Sequence, residues 1–480
     1  MLQHPGIISL MNINHNIGHK TVVARASAKA SNQINMTEGP IFSKLLKFSI
    51  PLILSSVLQL LFNAADVVVV GRFAGDNSLA AVGSTGSLVN LLINLFMGLS
   101  VGTNVVAANY FGAKKTEELQ DTVHTAILVS VYSGLILTVV GVLGAKPILT
   151  FMQSPAEVLN LAAIYLRIYF GGITATMVYN FGSALLRAKG DTRRPLYILL
   201  AAGIINLILN LIFVICFKMD VAGVGLATVI SQVISAVAVL IILIREKDDF
   251  KLNLRKLHIN RMIFTKIVKI GLPAGFQGIM FSFSNVIIQS SVNGFGATLI
   301  AGNAAAINLE AFIYTAMNGF SQGSLTFCSQ NMGAGRTDRI KKIVWISQGC
   351  IIIIGGVLGA IFLYFGNELL SIFSPNPEVI KAGMGRLWII FTTYYLCGMM
   401  DGMANSIRGI GHSLMPVISS LIGACIFRII WLFTIFLIPQ FHTPATIFLS
   451  YPISWILTFA ANVVFYNKYM RELIKPEQAL

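Results

Sequence analysis

The chain has 480 residues, of which 55% are hydrophobic and only 11% are charged, and its mean hydropathy is +0.77. This composition excludes an ordinary water-soluble domain and predicts a protein that lies in a membrane. The net charge of +15 is assigned to membrane topology and to contact with anionic lipids. A nucleic-acid partner is not expected, because it would require a basic patch on a folded soluble surface.

The first 44 residues are predicted to form a disordered cytoplasmic tail. Residues 1–39 are polar, have no acidic residue before Glu38 and contain no apolar run long enough for a secretory signal. Met36 is an alternative start, because the similarity between the two halves of the chain begins just after it. An organellar transit peptide is a second interpretation of the same basic composition.

Long uncharged stretches fill the rest of the chain. About 20 apolar residues cross the hydrocarbon core as a helix, so the longest stretches must hold two spans or one span with its turn. Dividing them at Gly, Pro, Asn and charged residues predicts twelve transmembrane helices, over residues 48–70, 80–111, 122–145, 159–186, 196–217, 222–244, 268–292, 299–331, 343–366, 379–407, 413–437 and 444–467.

The chain contains an internal repeat. Residues 109–116 (NYFGAKKT) match residues 330–337 (QNMGAGRT) at an offset of 221 positions, and the same offset separates Arg187 from Arg408. Paired homologous bundles with a binding site between them are typical of secondary transporters. The predicted fold class is therefore an all-α polytopic membrane protein with two pseudo-symmetric six-helix bundles.

The repeat and the basic residues together predict the domains and the topology. The N-lobe (helices 1–6) is predicted over residues 45–244 and the C-lobe (helices 7–12) over 267–468, joined by a cytoplasmic linker over 245–266 that lets the lobes move. A cytoplasmic tail over 469–480 follows. Most of the 34 Lys and Arg residues fall on the cytoplasmic side if the amino terminus lies there, so both termini are predicted to be cytoplasmic in a cell (inner) membrane.

A carboxylate inside an apolar helix is the main candidate for function. Asp66 lies in helix 1. Burying its charge costs several kcal/mol unless the carboxylate is protonated, paired with a base or in contact with water. Helix 5 supplies Asn206 and Asn210, one turn apart, and helix 6 supplies Thr228 at a similar depth. We predict an ion-coupling site from these residues, with a structural hydrogen-bonding acid as the alternative.

The C-lobe carries different polar residues. Glu310 on helix 8 and Arg428 on helix 11 fall near mid-depth, so we predict a structural ion pair between them. Arg386 and Arg167 lie nearer the outer edge and are interpreted as snorkelling side chains.

Polar and aromatic faces predict a substrate cavity. Helix 7 repeats such residues every four positions from Gln277 to Gln289, and helix 10 places Tyr394 and Asp401 on one face. Helix-to-helix contact is the alternative for such a stripe. The predicted cavity residues are Gln59, Asn63, Gln277, Phe281, Asn285, Gln289, Glu310, Tyr394 and Asp401.

Catalytic and metal chemistry is not predicted. No His-Glu-x-x-His, Gly-x-Ser-x-Gly or paired-Asp motif occurs, and His412 and His442 are solitary. The five cysteines are scattered without paired spacing and are interpreted as small packing residues. We expect no cofactor other than H+ or Na+ as coupling ion.

Several motifs resemble the multidrug and toxic compound extrusion (MATE) family over about residues 45–468. They are the sequence from Asn63 to Asp66, the sequence Leu-Ala-Ala-Val-Gly over 79–83, and the pair 186–191 and 407–411. The resemblance implies a V-shaped pair of lobes that exports amphipathic, often cationic compounds in exchange for H+ or Na+ by alternating access. The expected partners are these small molecules and membrane lipids, with a monomeric chain.

The resemblance also carries over residues. Asp66 matches the helix 1 aspartate that one branch of the family uses for ion coupling, Asn206 matches the polar position on helix 5, and Asn180 on helix 4 is a further contributor. Asn210 stands where some relatives have a second acid, and helix 7 lacks the acid of other branches. First-lobe coupling is therefore favoured.

Three other functions remain open from sequence. A lipid-linked precursor flippase of the same superfamily shares the two bundles, but usually has extra spans and a strongly cationic cavity. An intramembrane enzyme needs a nucleophile with its base or a metal cluster. A channel needs a narrow filter rather than broad polar faces.

Overall fold

The computed structural model describes residues 33–152 and 155–474, and these residues form helices and connecting loops without a β-strand. Ten of the helices in these ranges are long and apolar enough to cross a membrane, and the number is eleven if a pair bent by 45° is counted as one span. Many large apolar side chains are exposed, among them Val68, Leu143 and Val286. Such a surface suits lipid rather than water as the surrounding solvent.

The helices of the N-lobe follow the predicted order. α4 is the bent pair, and α5 ends in a π-helical segment, Ile212–Cys216. The bounds are Ile41–Phe73 (α1), Asp76–Gly112 (α2), Thr116–Phe151 (α3), Ala156–Gly171 with Ile173–Lys189 (α4), Arg193–Cys216 (α5) and Asp220–Arg245 (α6).

The C-lobe repeats this order with two breaks. α10 is divided at Thr392 and Thr393, and α11 contains a π-helical segment, Leu421–Ile426, before it continues as Phe427–Phe433. A short helix, Gly366–Ser371, precedes α10. The bounds are Arg261–Asn293 (α7), Ala297–Gly333 (α8), Thr337–Tyr364 (α9), Pro377–Phe391 with Tyr394–Gly409 (α10), Leu414–Phe433 (α11) and Pro444–Ile474 (α12).

Equivalent glycines end or begin equivalent helices. Gly190 and Gly411, which are 221 positions apart, have φ of 96° and 95°. Gly190 follows α4 directly, and Gly411 follows α10 after one further residue. A left-handed residue after a helix lets the chain turn while the last carbonyls stay hydrogen-bonded, and glycine adopts it without steric cost. Gly75 and Gly296 stand in the same relation before α2 and α8, with φ of 86° and 91°. The backbone thus shares the repeat seen in the sequence.

The first helix begins earlier than predicted, at Ile41 rather than residue 48. Of the predicted tail, residues 1–32 lie outside the described residues. Residues 33–40 form a non-helical segment whose Met36 is fully buried. Its backbone contacts both lobes, because Ile34 N donates to Gly190 O at 3.2 Å and Met36 O accepts from Asn331 Nδ2 at 3.1 Å.

The two lobes touch at the end of the molecule where α1 begins, called here the closed end. α2 and α7 make the most extensive helix contact there. A Cβ added to Gly98 would lie 2.3 Å from Gly271 O, and one added to Gly275 would lie 2.3 Å from Leu95 O. The helices therefore meet backbone to backbone, which small residues permit.

The linker between the lobes is bound to the N-lobe. Phe250 and Leu252 are buried, and Asn260 Nδ2 donates to Asp121 Oδ2 on α3 at 2.8 Å. Lys189 Nζ at the end of α4 contacts Glu246 Oε2 at 2.6 Å. These contacts hold residues 246–260 against α3 and α4, so α7 begins close to the edge of the N-lobe.

Candidate functional site

The N-lobe holds a carboxyl–amide cluster between α1 and α5. Gly203 on α5 lies against the ring of Phe62 on α1, since an added Cβ would lie 1.8 Å from a ring carbon. One turn further along α1, Asp66 Oδ1 accepts from Asn210 Nδ2 at 2.5 Å, and the same amide donates to Asn206 Oδ1 at 3.2 Å. The small residue at 203 therefore allows the close helix contact on which this cluster depends.

The two asparagines of the cluster are buried, whereas Asp66 is half-buried. Asn210 is fully buried and Asn206 is 5% exposed, and Val69 and Val70 of the next turn of α1 pack into an apolar cluster. In the part of the chain that the structure describes, no basic side chain lies within ion-pair distance of Asp66. The Oδ1 atom of Asn210 is buried without a hydrogen-bond partner there. The site thus presents an uncompensated carboxyl group and a free acceptor, which suits a proton or a small cation.

Two of the predicted ion-coupling residues do not join this cluster. Thr228 Oγ1 donates to Val224 O within its own helix at 3.0 Å. Asn180 Nδ2 donates to Thr176 O at 2.8 Å, and its side chain lines a different cavity nearer the closed end.

A cavity of about 410 Å³ lies within the C-lobe. Six predicted residues line it: Phe281, Asn285, Gln289, Glu310, Tyr394 and Asp401. Its volume falls in the range of sites that take drug-sized molecules.

The predicted ion pair of the C-lobe has a different basic partner. Glu310 binds Arg386, with Nε to Oε1 at 2.5 Å and Nη2 to Oε2 at 2.9 Å. Arg386 is 3% exposed, so the predictions of a Glu310–Arg428 pair and of a snorkelling Arg386 are wrong. Arg428 instead donates from Nε to Ser454 Oγ at 2.8 Å.

Neutral side chains extend the Glu310–Arg386 pair. Arg386 Nη1 donates to Asn303 Oδ1 at 2.9 Å, and Asn303 Nδ2 donates to Gln289 Oε1 at 2.9 Å. A planar guanidinium bound to carboxylate in a two-point contact is well suited to burial. This network fixes one wall of the cavity.

A second cavity, of about 430 Å³, lies between the lobes near the closed end and is called here the central cavity. Gln59 and Gln277 line it, as predicted for substrate contact, and so does Arg408. Arg408 donates to Gln277 Oε1 through Nη2 and to Asn405 Oδ1 through Nη1 at 2.7 Å. Asn63 is exposed and is not among the lining residues of either cavity.

Three residues line both cavities: Phe281, Tyr314 and Asp401. Tyr314 Oη donates to Asp401 Oδ2 at 2.7 Å. The wall between the two spaces is therefore aromatic and acidic.

Sequence reasoning missed several lining residues. Asn303 and Tyr314 lie seven before and four after Glu310 on α8, spacings that put all three on one helix face, so this signal was present. Tyr451 and Trp455 also share a face of α12 and line the C-lobe cavity. No charge marks that face in the sequence.

The comparisons with known proteins fit this architecture. The MatE family model matches residues 51–212 and again residues 273–434, one copy in each lobe. The chain belongs to the MatE family. It is therefore a multi-pass membrane transporter and not an enzyme, and the predicted family and fold class are confirmed.

Relatives of this chain are similar along most of its length. It is 27% identical over 381 residues to the probable multidrug resistance protein YoeA of Bacillus subtilis, covering 78% of this chain and 82% of that protein. It is 26% identical to the probable multidrug resistance protein YpnP of the same organism, covering 82% and 88%. A solved outward-facing MATE family transporter of the MOP superfamily superimposes with a TM-score of 0.87 at 20% identity, covering 93% of this chain and all of that one.

Proposed function

We propose that this protein exports amphipathic, often cationic compounds by antiport with H+ or Na+ through alternating access. The observation that carries the proposal is the contact between Asp66 and Asn210 in the N-lobe, which leaves the carboxyl group without a basic partner. The names of the relatives, which are multidrug resistance proteins, support the substrate class.

The ion is bound at the carboxyl–amide cluster. A proton neutralises Asp66, whereas Na+ takes oxygen ligands from Asp66 and from an asparagine side chain. The Oδ1 atom of Asn210 has no other partner in the described part and serves as acceptor in either case. Binding removes the cost of a buried negative charge, so the ion-bound and ion-free states favour different packings of α1.

α1 links the ion to the exported compound. Gln59 lines the central cavity two turns before Asp66, and residues seven apart lie on the same helix face. A shift of α1 on ion binding therefore changes the cavity wall. Inward release of the ion restores the anionic carboxylate and with it the preference for a cationic guest.

The basic loops support an orientation of the protein in the membrane. Lys114, Lys115, Arg336 and Arg339 lie at the closed end, which therefore faces the cytoplasm in a cell membrane. The described part of the chain begins and ends on that side, at residues 33 and 474, and the proposed working unit is the monomer. Labelling of a cysteine introduced at Lys114 in intact cells tests this orientation, since a membrane-impermeant reagent should not reach it.

Export of ethidium from reconstituted vesicles tests the coupling. A proton gradient and a sodium gradient are imposed separately on wild-type protein and on Asp66→Asn. Export by the wild type in response to one gradient and its loss in Asp66→Asn support the proposal. The matched control is Glu368→Gln, which neutralises an exposed carboxyl group on the short helix 366–371 and should export normally.

Two results contradict the proposal. One is wild-type protein that responds to neither gradient. The other is gradient-driven export that persists undiminished in a normally inserted Asp66→Asn variant, because the neutral amide cannot take up the coupling ion.

A further inference from the structure

Arg428 is a buried cation that has no acidic partner in ion-pair contact among the described residues. Its residue is 3% exposed and lines the C-lobe cavity. Its Nε atom donates to Ser454, while its Nη groups donate to no residue in the described part of the chain. The acid at similar depth, Glu310, is bound on both oxygens by Arg386. Among the described residues, therefore, no carboxylate forms an ion pair with Arg428.

Aromatic rings hold this guanidinium in place. It lies 4.2 Å from the ring centre of Tyr451 and 6.0 Å from that of Trp455. Such contacts stabilise a cation when it is desolvated, but they leave its in-plane Nη–H donors available. Guanidinium donors that line a cavity and meet no protein acceptor are available to a ligand that accepts their hydrogen bonds.

We propose that Arg428 binds the anionic group, a carboxylate or its equivalent, of an aromatic amphipathic substrate in the C-lobe cavity. This inference rests on the proposed function, because it defines a substrate class for the same transporter. The guanidinium offers a planar pair of donors that matches a carboxylate. The aromatic rings of Phe281, Tyr451 and Trp455 supply surfaces for the rest of the molecule.

The cavity also carries an acid at a separate position. Asp401 accepts from the neutral Tyr314 hydroxyl, and its carboxylate is not within ion-pair distance of Arg428 in the described residues. A ligand that carries both charges is therefore accommodated with its anionic group at Arg428 and its cationic group towards Asp401. Purely cationic compounds leave Arg428 without an acceptor and bind more weakly.

A matched pair of dyes tests this on wild-type protein. The probes are a cationic xanthene dye with a free benzoate and the methyl ester of the same dye, which lacks the anionic charge. Fluorescence anisotropy with purified protein in neutral detergent measures both dissociation constants. We expect the benzoate dye to bind at least about tenfold more tightly, as for a charge-assisted hydrogen bond. Equal binding of the two dyes overturns the proposal.

Variants of Arg428 test whether this residue causes the preference for the benzoate dye. Arg428→Gln should abolish the preference for the benzoate dye while leaving the affinity for the ester within about twofold. Arg428→Lys should keep part of the preference, because it keeps the charge but loses the planar fork. Lys381→Gln, which removes an exposed positive charge from the same lobe, is the control and should bind like wild type. A preference that survives in well-folded Arg428→Gln overturns the assignment.

Two further measurements distinguish a substrate carboxylate from other anions, and the binding site from the transport function. Titration with chloride and with phosphatidylglycerol is made in the same detergent. Displacement of both dyes by either anion, without a dye preference, assigns Arg428 to an inorganic ion or a lipid headgroup and overturns the proposal. A clear dye preference in protein that exports neither dye under any gradient supports the binding site while contradicting the proposed function.

Discussion

Gly112 on α2 packs against the backbone of α8, and Gly333 on α8 packs against the backbone of α2 at the equivalent position. A Cβ on Gly112 would lie 1.9 Å from Gln330 O, and one on Gly333 would lie 1.8 Å from Asn109 O. Asn109 and Gln330 are themselves 221 positions apart. The two contacts are therefore related by the internal symmetry, and each brings a helix end directly against the backbone of the other lobe.

Gly333→Ala should separate the lobes at the closed end. The added methyl group cannot fit beside Asn109 O without a backbone shift, so we expect a loss of about 1–3 kcal/mol of stability. Cys328, which is fully buried five residues earlier on α8, should react faster with a maleimide. Peptide mass measurement of that modification gives the rate.

The control for this change is Gly356→Ala. An added Cβ at Gly356 meets no heavy atom within 4 Å, so stability should be unchanged or higher because alanine favours a helix. If both substitutions alter Cys328 labelling equally, the inter-lobe contact is not what protects it.

Gly203→Ala should weaken ion coupling without removing any polar side chain. The methyl group would displace Phe62 and move α1 away from α5, which lengthens the contact between Asp66 and Asn210. We expect gradient-driven export to need a higher concentration of the coupling ion, measured as the half-maximal value in vesicles.

A second substitution separates this cause from general damage. Phe62→Ala removes the ring that Gly203→Ala pushes aside, so the double variant should couple better than Gly203→Ala alone. A double variant that performs no better, although it inserts normally, would show that the helix contact does not set the coupling.

Glu310→Gln should strongly destabilise the C-lobe. It leaves Arg386 buried with its charge unpaired, and removing one partner of a buried ion pair costs about 3–5 kcal/mol. The thermal midpoint in detergent measures the loss, with Glu368→Gln as the exposed control. The double variant Glu310→Gln with Arg386→Gln should lose less than the sum of the two single variants, and a strictly additive result would argue against the pair.

Met36→Lys should release the segment over residues 33–40. The side chain is fully buried and the segment bridges the lobes through Gly190 and Asn331. A buried lysine without a partner is expelled, so hydrogen exchange in residues 33–40 should rise and Cys328 labelling should accelerate. Met36→Leu preserves the volume and should behave like wild type; if it matches Met36→Lys, burial of this side chain is not the cause.

The sequence predicted the repeat and placed Asp66 and Asn210 at similar depth, because both inferences depend on distance along helices. The constant offset of 221 positions needs no side-chain orientation. Asp66 and Asn210 come together because the rise per residue places them at equal depth on neighbouring helices.

The pairing in the C-lobe could not be predicted because it depends on helix irregularities. The π-helical segment over 421–426 precedes Arg428 and changes the register, and one residue corresponds to about 100° of rotation. Depth alone therefore selected the wrong arginine, and it placed Thr228 near Asp66 because depth does not define which way a side chain faces. Asn180 was assigned from the family resemblance and not from depth.

The shared wall of Phe281, Tyr314 and Asp401 makes the central and C-lobe cavities interdependent. A molecule pressed against these side chains from one space alters the surface offered to a molecule in the other. Two unlike compounds should therefore inhibit each other's export even when their preferred positions do not overlap. Such cross-inhibition would be of a mixed kinetic type, with each compound changing both the apparent affinity and the maximal rate for the other.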